Sequence, residues 1–307
     1  MSAAATGLTW NVFEDVRQLF EFHFMVNAAL AGTVVAVIAA IVGWFMVLRR
    51  QTFAGHTLSV VAFPGASAAV LVGVSAAWGY FGFCIAAALV IAAIPRTRYR
   101  SVSEESAVIG TVQAFALGCG FLFVTLYHGL LQGANALLFG SFLGIADSQV
   151  VTLLVVGIGV LAVLGVVGRP LLFASIDPDV AAAQGVPTRM LSVVFLVVLG
   201  VAVAEAGQIT GALLVFALLV VPAAAAQALT ARVLPGLALS VGIGCTVTWV
   251  GLAFAYFYDE PVGFTITTVA FIAYLLAQAV RHAVRRTRSS RAAAPRGRWS
   301  APARRSA

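Results

Sequence analysis

Lysine is absent from this chain: all eighteen basic residues are arginine. Its absence excludes a P-loop, whose lysine contacts nucleotide phosphates. Lysine Schiff-base chemistry is excluded as well. If the protein draws on ATP, another chain must hydrolyse it. Charge of any kind is scarce. Only 9% of residues are charged and 62% are hydrophobic, with a mean hydropathy of +1.03. A soluble domain is about half apolar and a quarter charged, so a soluble domain is excluded too. The three cysteines, Cys84, Cys119 and Cys245, stand alone in apolar runs with no CxxC. They read as small core residues. The N-terminus lacks a basic stretch followed by an apolar core, which argues against a cleaved signal.

Several apolar runs reach the roughly 20 residues that a bilayer crossing requires. The expected fold is therefore an all-α polytopic membrane protein. About nine transmembrane helices are read, over 23–48, 62–79, 80–95, 106–127, 148–168, 190–206, 208–231, 235–257 and 262–281; two of these are short, so eight to ten crossings fit. The formal charge of +7 is not a nucleic-acid signal. Nine arginines and no acid lie between Arg281 and the end, while the other nine arginines face eleven acids. Residues 282–307 read as a disordered Arg-rich tail near an anionic leaflet. Arginine also marks the loops at 49–50, 96–100, 169–189 and 232, whereas residues 1–22 and 128–147 are poor in it. The positive-inside rule puts the N-terminus outside and the C-terminus in the cytoplasm. Three regions follow: an extracytoplasmic segment 1–22, a transmembrane domain 23–281 and the cytoplasmic tail.

Polar residues in so apolar a chain are the candidates for function. The stretch "LRRQTFAGHTLSVVAFPG" at 48–65 carries two arginines, His56, Gly55 and the pair Pro64-Gly65. The arginines read as topology signals. The Gly and Pro residues predict a broken or re-entrant element, tolerated near a membrane only where it lines a cavity or is buried in protein. His56 there is either a metal ligand or an inert, hydrogen-bonded interfacial histidine. A second island is "GRPLLFASIDPDVAAAQGVPTR" at 168–189. Asp177-Pro178 supplies an N-cap and a helix start, and Gly185 followed by Pro187 stops it. This loop is either a plain interfacial helix or a docking element for a cytoplasmic partner. The third is Glu205. A carboxylate within a span is a functional candidate by default, but Gly207-Gln208 predict an external turn that would leave it at the interface. Pro222, inside the next span, frees a backbone carbonyl and predicts a kink. His23, His128 and Asp147 fall near the outer face as a candidate cation entrance. His282 belongs to the tail.

Taken together these stretches resemble the membrane permease subunits of bacterial zinc/manganese-type ABC importers. The segment 48–65 is similar to theirs after the first helix, "LLFGSFLGI" at 137–145 to their external loop, "SIDPDVAAAQGVP" to their cytoplasmic loop, and "GALLVFALLVVPAAAAQAL" at 211–229 to their signature helix. The matches keep their order over 25–280. The resemblance implies a multi-pass protein of the bacterial cytoplasmic membrane that is not an enzyme. It implies a permease dimer, a homodimer first and a heterodimer second, with a cytoplasmic ABC ATPase dimer and an extracytoplasmic metal-binding protein. Asp177, Pro178 and Gly185 would couple to the ATPase, while Gly55, Pro64, Gly65, Glu205 and Pro222 would shape the path. No cofactor would be permanently bound: zinc or manganese would be cargo, and ATP would sit on partner subunits. One departure stands out. Many members carry an aspartate after the glycine and a histidine four residues later. Here those positions are His56 and Val60. An imidazole-only site, with two His56 meeting across a dimer axis, would favour zinc over manganese, which prefers oxygen ligands.

Three rival readings carry distinct signatures. A siderophore or cobalamin permease shares the coupling-loop logic but not the 48–65 stretch. An intramembrane serine hydrolase would use the Gly-x-Ser of "PGASAA", but needs a histidine within another span. A secondary transporter needs buried acids, and Glu205 alone qualifies.

Overall fold

The computed structural model describes residues 12–94, 102–127, 140 and 144–292. All regular structure among them is helical. The elements are α1 (Val12–Glu21), α2 (His23–Leu48), α3 (Thr52–Leu71), α4 (Ala76–Ala93), α5 (Val102–Leu126), α6 (Asp147–Ile176) and the short α7 (Pro178–Ala183). The segment Thr188–Leu229 is helical throughout except at Gly211, with φ 73 and ψ 163. It forms α8 (Thr188–Gly211) and α9 (Leu214–Leu229). Helices α10 (Val233–Tyr258) and α11 (Val262–Ala292) complete the order. Eight of these are long and apolar enough to cross a membrane, and α9 is a shorter apolar helix.

The chain reverses direction at Gly211. A Cβ built on Gly207 would lie 3.8 Å from a methyl of Val215. Eight residues along a straight helix would separate them by about 12 Å. Ser192 near the start of α8 and Gln227 near the end of α9 both bond to the C-terminal end of α2, through Arg49 and the Trp44 carbonyl. So α8 and α9 form a hairpin, and its sharp corner lies in a region of backbone space that is essentially glycine's alone. The reversal predicted at Gly207-Gln208 is corrected to Gly211. Both predicted corner residues are helical, and Gln208 Nε2 bonds back to the Ala204 carbonyl at 3.3 Å.

Three further expectations change. The stretch 48–65 is neither broken nor re-entrant, because α3 runs unbroken from Thr52 through Pro64. In place of the span read at 62–79, the crossing lies ten residues earlier in the chain. Pro64 removes one helical N–H, and neighbouring helices in a bundle compensate for such losses. Second, α6 continues past 168 through Arg169 and Pro170 to Ile176. Thirty helical residues span about 45 Å, more than the roughly 30 Å hydrocarbon layer, so a helix of this length can carry a charged end beyond the lipid. Third, α11 continues past 281 to Ala292, so the first part of the Arg-rich tail is helix. The remainder of that tail lies outside the described residues.

Helices α2, α3 and α8 form the buried centre, while α5, α6 and α11 show mostly apolar surface outward. Such surface suits lipid or another membrane helix. Inside the bundle, contact is set by glycine. Gly43 of α2 lies against the Leu219 backbone of α9, and Gly65 of α3 against Gly79 of α4. Small residues let apolar helices approach to backbone contact and gain dispersion energy. Side chains tie the same seams: Ser240 Oγ donates to the Ala40 carbonyl at 3.1 Å, and Gln227 Nε2 to the Trp44 carbonyl at 2.8 Å.

Candidate functional site

His56 lies on α3, one turn in from its N-terminus. Its ring is half-buried and meets Phe216 of α9 edge-on, with centroids 4.7 Å apart. Phe53 lies 6.4 Å away. The Nδ1 atom is buried without a hydrogen-bond partner, so the inert, hydrogen-bonded reading of His56 does not describe this atom. Val60 is one turn further on, also half-buried, so i and i+4 share the face as the helix period requires. Pro64, another turn on, offers no N–H to the Val60 carbonyl. Among the described residues no three His, Cys, Asp or Glu side chains are grouped to hold a metal ion. Among the described residues, His56 is the imidazole that one chain supplies at this place. Gly55 and Gly65 serve packing: Gly55 faces the Met46 sulfur, and Gly65 faces the Gly79 backbone.

Glu205 is not at an interface. It is 2% exposed, on α8 between α2 and α6. The Gly157 position of α6 faces Glu205 Oε1, and the Ile38 side chain of α2 packs against Gly157. The Gly157 amide points toward the carboxyl but falls outside hydrogen-bond geometry, leaving both oxygens unpartnered. Pro222 of α9 is buried and sits against the Gly244 position of α10.

At the opposite end of α2, two of the three candidate entrance residues meet. His23 Nε2 lies 2.9 Å from Asp147 Oδ1, and both side chains are exposed. Buried Asn27 anchors the pair, donating to Asp147 Oδ1 at 2.6 Å and to the Ile145 carbonyl at 3.1 Å. The N-termini of α2 and α6 are thereby pinned together. Asn27 had no signal in the sequence except its isolation in an apolar run. His128 lies outside the described residues, as does most of the 137–145 stretch.

The predicted short helix is present as α7. The Asp177 carboxylate accepts the Val180 N–H at 3.0 Å, Pro178 takes the first helical position, and Gly185 has φ 81. Each feature satisfies or ends a helix as the residue types require. Ala181 is buried, while Asp177, Pro178, Asp179 and Val180 are exposed. The helix thus stands on one small residue and presents the rest outward, between the ends of α6 and α8. Arg49, read from sequence as a topology marker, is turned into the bundle. It bonds Ser175 and Ser192, one on each side of α7.

Known proteins share this fold. An uncharacterised membrane protein of Synechocystis is 28% identical over 92% of this chain and all of its own length. The manganese import system permease protein ScaB of Streptococcus pneumoniae is 26% identical over 86% of this chain and 93% of its own. Among solved structures, a chain of PsaBC from Streptococcus pneumoniae in complex with Fab superposes with a TM-score of 0.77. It is 25% identical, over 87% of this chain and 95% of that one. Residues 21–281, from the end of α1 to well inside α11, match the family described as the ABC 3 transport family, and this multi-pass chain belongs to it.

Proposed function

We propose that this chain is the permease subunit of an ABC importer that moves a divalent transition metal ion into the bacterial cytoplasm. The observation that carries the reading is the match of the entire membrane region to a transport family, with α7 standing outward between α6 and α8. In this reading α7 lies at the cytoplasmic face and docks a separate ATPase dimer. Asp177, Pro178 and Gly185 fix its shape. The His23–Asp147 end faces an extracytoplasmic metal-binding protein. Two copies of the chain form the path, with the N-terminus outside and the C-terminus inside. No cofactor resides in the chain. ATP binds the partner subunits, and the metal is cargo.

Relatives bearing manganese in their names support manganese. The chemistry of His56 supports zinc, because imidazole suits zinc and manganese favours oxygen. His56 is this chain's own residue and is the more direct of the two. Zinc is therefore the proposed cargo and manganese the second. A single imidazole per chain suits a passing ion, since transport requires release as well as capture (by analogy with channels).

The test is metal accumulation in a zinc-starved strain lacking this gene. Wild type or His56→Ala is restored at matched expression, and zinc and manganese are measured together. Wild type restores zinc in this reading, and His56→Ala loses about tenfold or more, as expected for a ligand whose supporting partners alone matter by 10–100-fold. Restoration of neither metal by wild type overturns the cargo assignment. Equal restoration by both variants removes His56 from the path.

A further inference from the structure

Arg49 and Arg50 end α2 side by side, yet the structure treats them differently. Arg50 is exposed with φ 57. Arg49 is half-buried and reaches three other segments of chain. Its Nη1 donates to Ser175 Oγ at 3.0 Å, its Nη2 to Ser192 Oγ at 2.8 Å and its Nε to Gln51 Oε1 at 3.3 Å. The guanidinium carbon lies 5.4 Å from the centre of the Phe195 ring, so the charge also rests over an aromatic ring.

The partners are well placed. Ser175 is the last but one residue of α6 and Ser192 lies in the second turn of α8, so α7 is held between them. Each serine spends its own proton within its helix, on the Leu171 and Thr188 carbonyls. Each oxygen is thereby left as an acceptor for Arg49. Gln51, 6% exposed, begins α3, and its carbonyl accepts the Gly55 N–H at 3.0 Å. His56 is the next residue.

We infer that Arg49 is the positioning residue that links the α7 docking helix to α3 and His56. The inference rests on the proposed function. A force on α7 moves the ends of α6 and α8, and one guanidinium grips both while holding the start of α3. Only arginine has a rigid planar fork that serves three acceptors in three directions; lysine is a point charge on a flexible stem. Hydrogen bonds from a charged donor are also stronger than neutral ones. Without Arg49 the exposed face of α7 still binds its ATPase, but the motion does not reach α3.

The experiment uses the full complex, the permease co-purified with its ATPase, reconstituted in vesicles and supplied with its metal-binding protein. Uptake of zinc and of manganese is measured beside ATP hydrolysis in one preparation. For Arg49→Gln, metal moved per ATP falls about fivefold or more, the low end of coupling between linked sites, while hydrolysis stays within about twofold. The double variant Ser175→Ala/Ser192→Ala keeps the charge and gives the same loss. Adding Arg49→Gln to it gives no further loss, as expected of residues acting through one contact. Ser175→Thr/Ser192→Thr keeps both acceptor oxygens and keeps the coupling. If Arg49→Gln does not assemble, the serine variants decide alone. Unchanged metal per ATP in them, a parallel fall of uptake and hydrolysis, or additive losses in the triple variant overturns the inference while leaving the proposed function intact. A wild-type complex that moves neither metal overturns the proposed function, and this inference with it.

Discussion

The hairpin at Gly211 makes a prediction with a sign and a size. Gly211 has φ 73 and ψ 163, a conformation that costs other residues about 1–3 kcal/mol. It is also buried, so a methyl group has little room. Gly211→Ala is therefore expected to destabilise by about 2 kcal/mol. At a few degrees per kcal/mol this is a fall of about 4–8 °C in thermal midpoint. Gly242→Ala is the matched control. Gly242 is helical and exposed, with open space where a Cβ would go. There the same substitution gains the usual helix preference for alanine, about 0.5–1 kcal/mol. The two variants should move the midpoint of the purified protein in opposite directions. A second measurement reads geometry directly. With the native cysteines replaced, a Gly207→Cys/Val215→Cys pair should close a disulfide, because the two positions face each other across the hairpin. A continuous helix would hold them about 12 Å apart, beyond bridging distance. Equal shifts for the two alanine variants, together with no cross-link, would refute the reversal at Gly211.

Other positions give independent checks. Gly65→Val drives a side chain into the Gly79 backbone; backbone cannot yield as a side-chain tip can, and a loss of folded yield in detergent is expected, while Gly159→Val, facing open space, should fold normally. Asn27→Ala removes the buried anchor of the α2–α6 corner and should lower the thermal midpoint more than His23→Ala, which breaks only an exposed pair. Glu205→Leu removes an unpartnered buried carboxyl and should raise stability by about 1–3 kcal/mol by denaturant titration; a fall instead would show that the carboxyl is satisfied. Asp177→Ala removes the N-cap of α7 and should cost about 1 kcal/mol of local helix stability, read as faster amide exchange at Val180.

What the sequence displayed well was composition over long windows. The apolar runs pointed to the eight helices long and apolar enough to cross a membrane and to the shorter α9, with only the second span displaced, by ten residues, and α7 is legible because a capped short helix advertises both ends within about ten residues. The Asp-Pro start and the Gly185 stop are local signals, and each stands where it was read. The errors share a different physical origin. Pro64 reads as a breaker because proline breaks isolated helices. Inside a bundle its lost bond is absorbed by the surroundings, so α3 passes through it. Gly207-Gln208 reads as the corner because it pairs a glycine with a polar residue, and the sequence does not record which glycine must take positive φ. Arg169 reads as the start of a loop because charge marks the lipid boundary, yet a helix need not end where the lipid does.

Arg49 shows the limit most clearly. A pair of arginines after an apolar run satisfies the positive-inside rule, and that explanation is complete at the level of sequence. It assigns the two residues one shared role, whereas the bundle gives them different ones. The acceptors that distinguish them, Ser175 and Ser192, lie 126 and 143 residues away. Serine is too common near helix ends to signal a partner at that range. The chain's exclusive use of arginine compounds the problem, since an arginine chosen for its charge and one chosen for its fork look alike. Lysine is the substitution that separates them. At Arg50, which is exposed, Arg50→Lys keeps the charge and should leave transport unchanged. At Arg49, the ammonium of Arg49→Lys cannot span both serines and Gln51, so metal moved per ATP should fall toward the Arg49→Gln value. Equal behaviour of the two lysine variants would return Arg49 to the role of a topology marker.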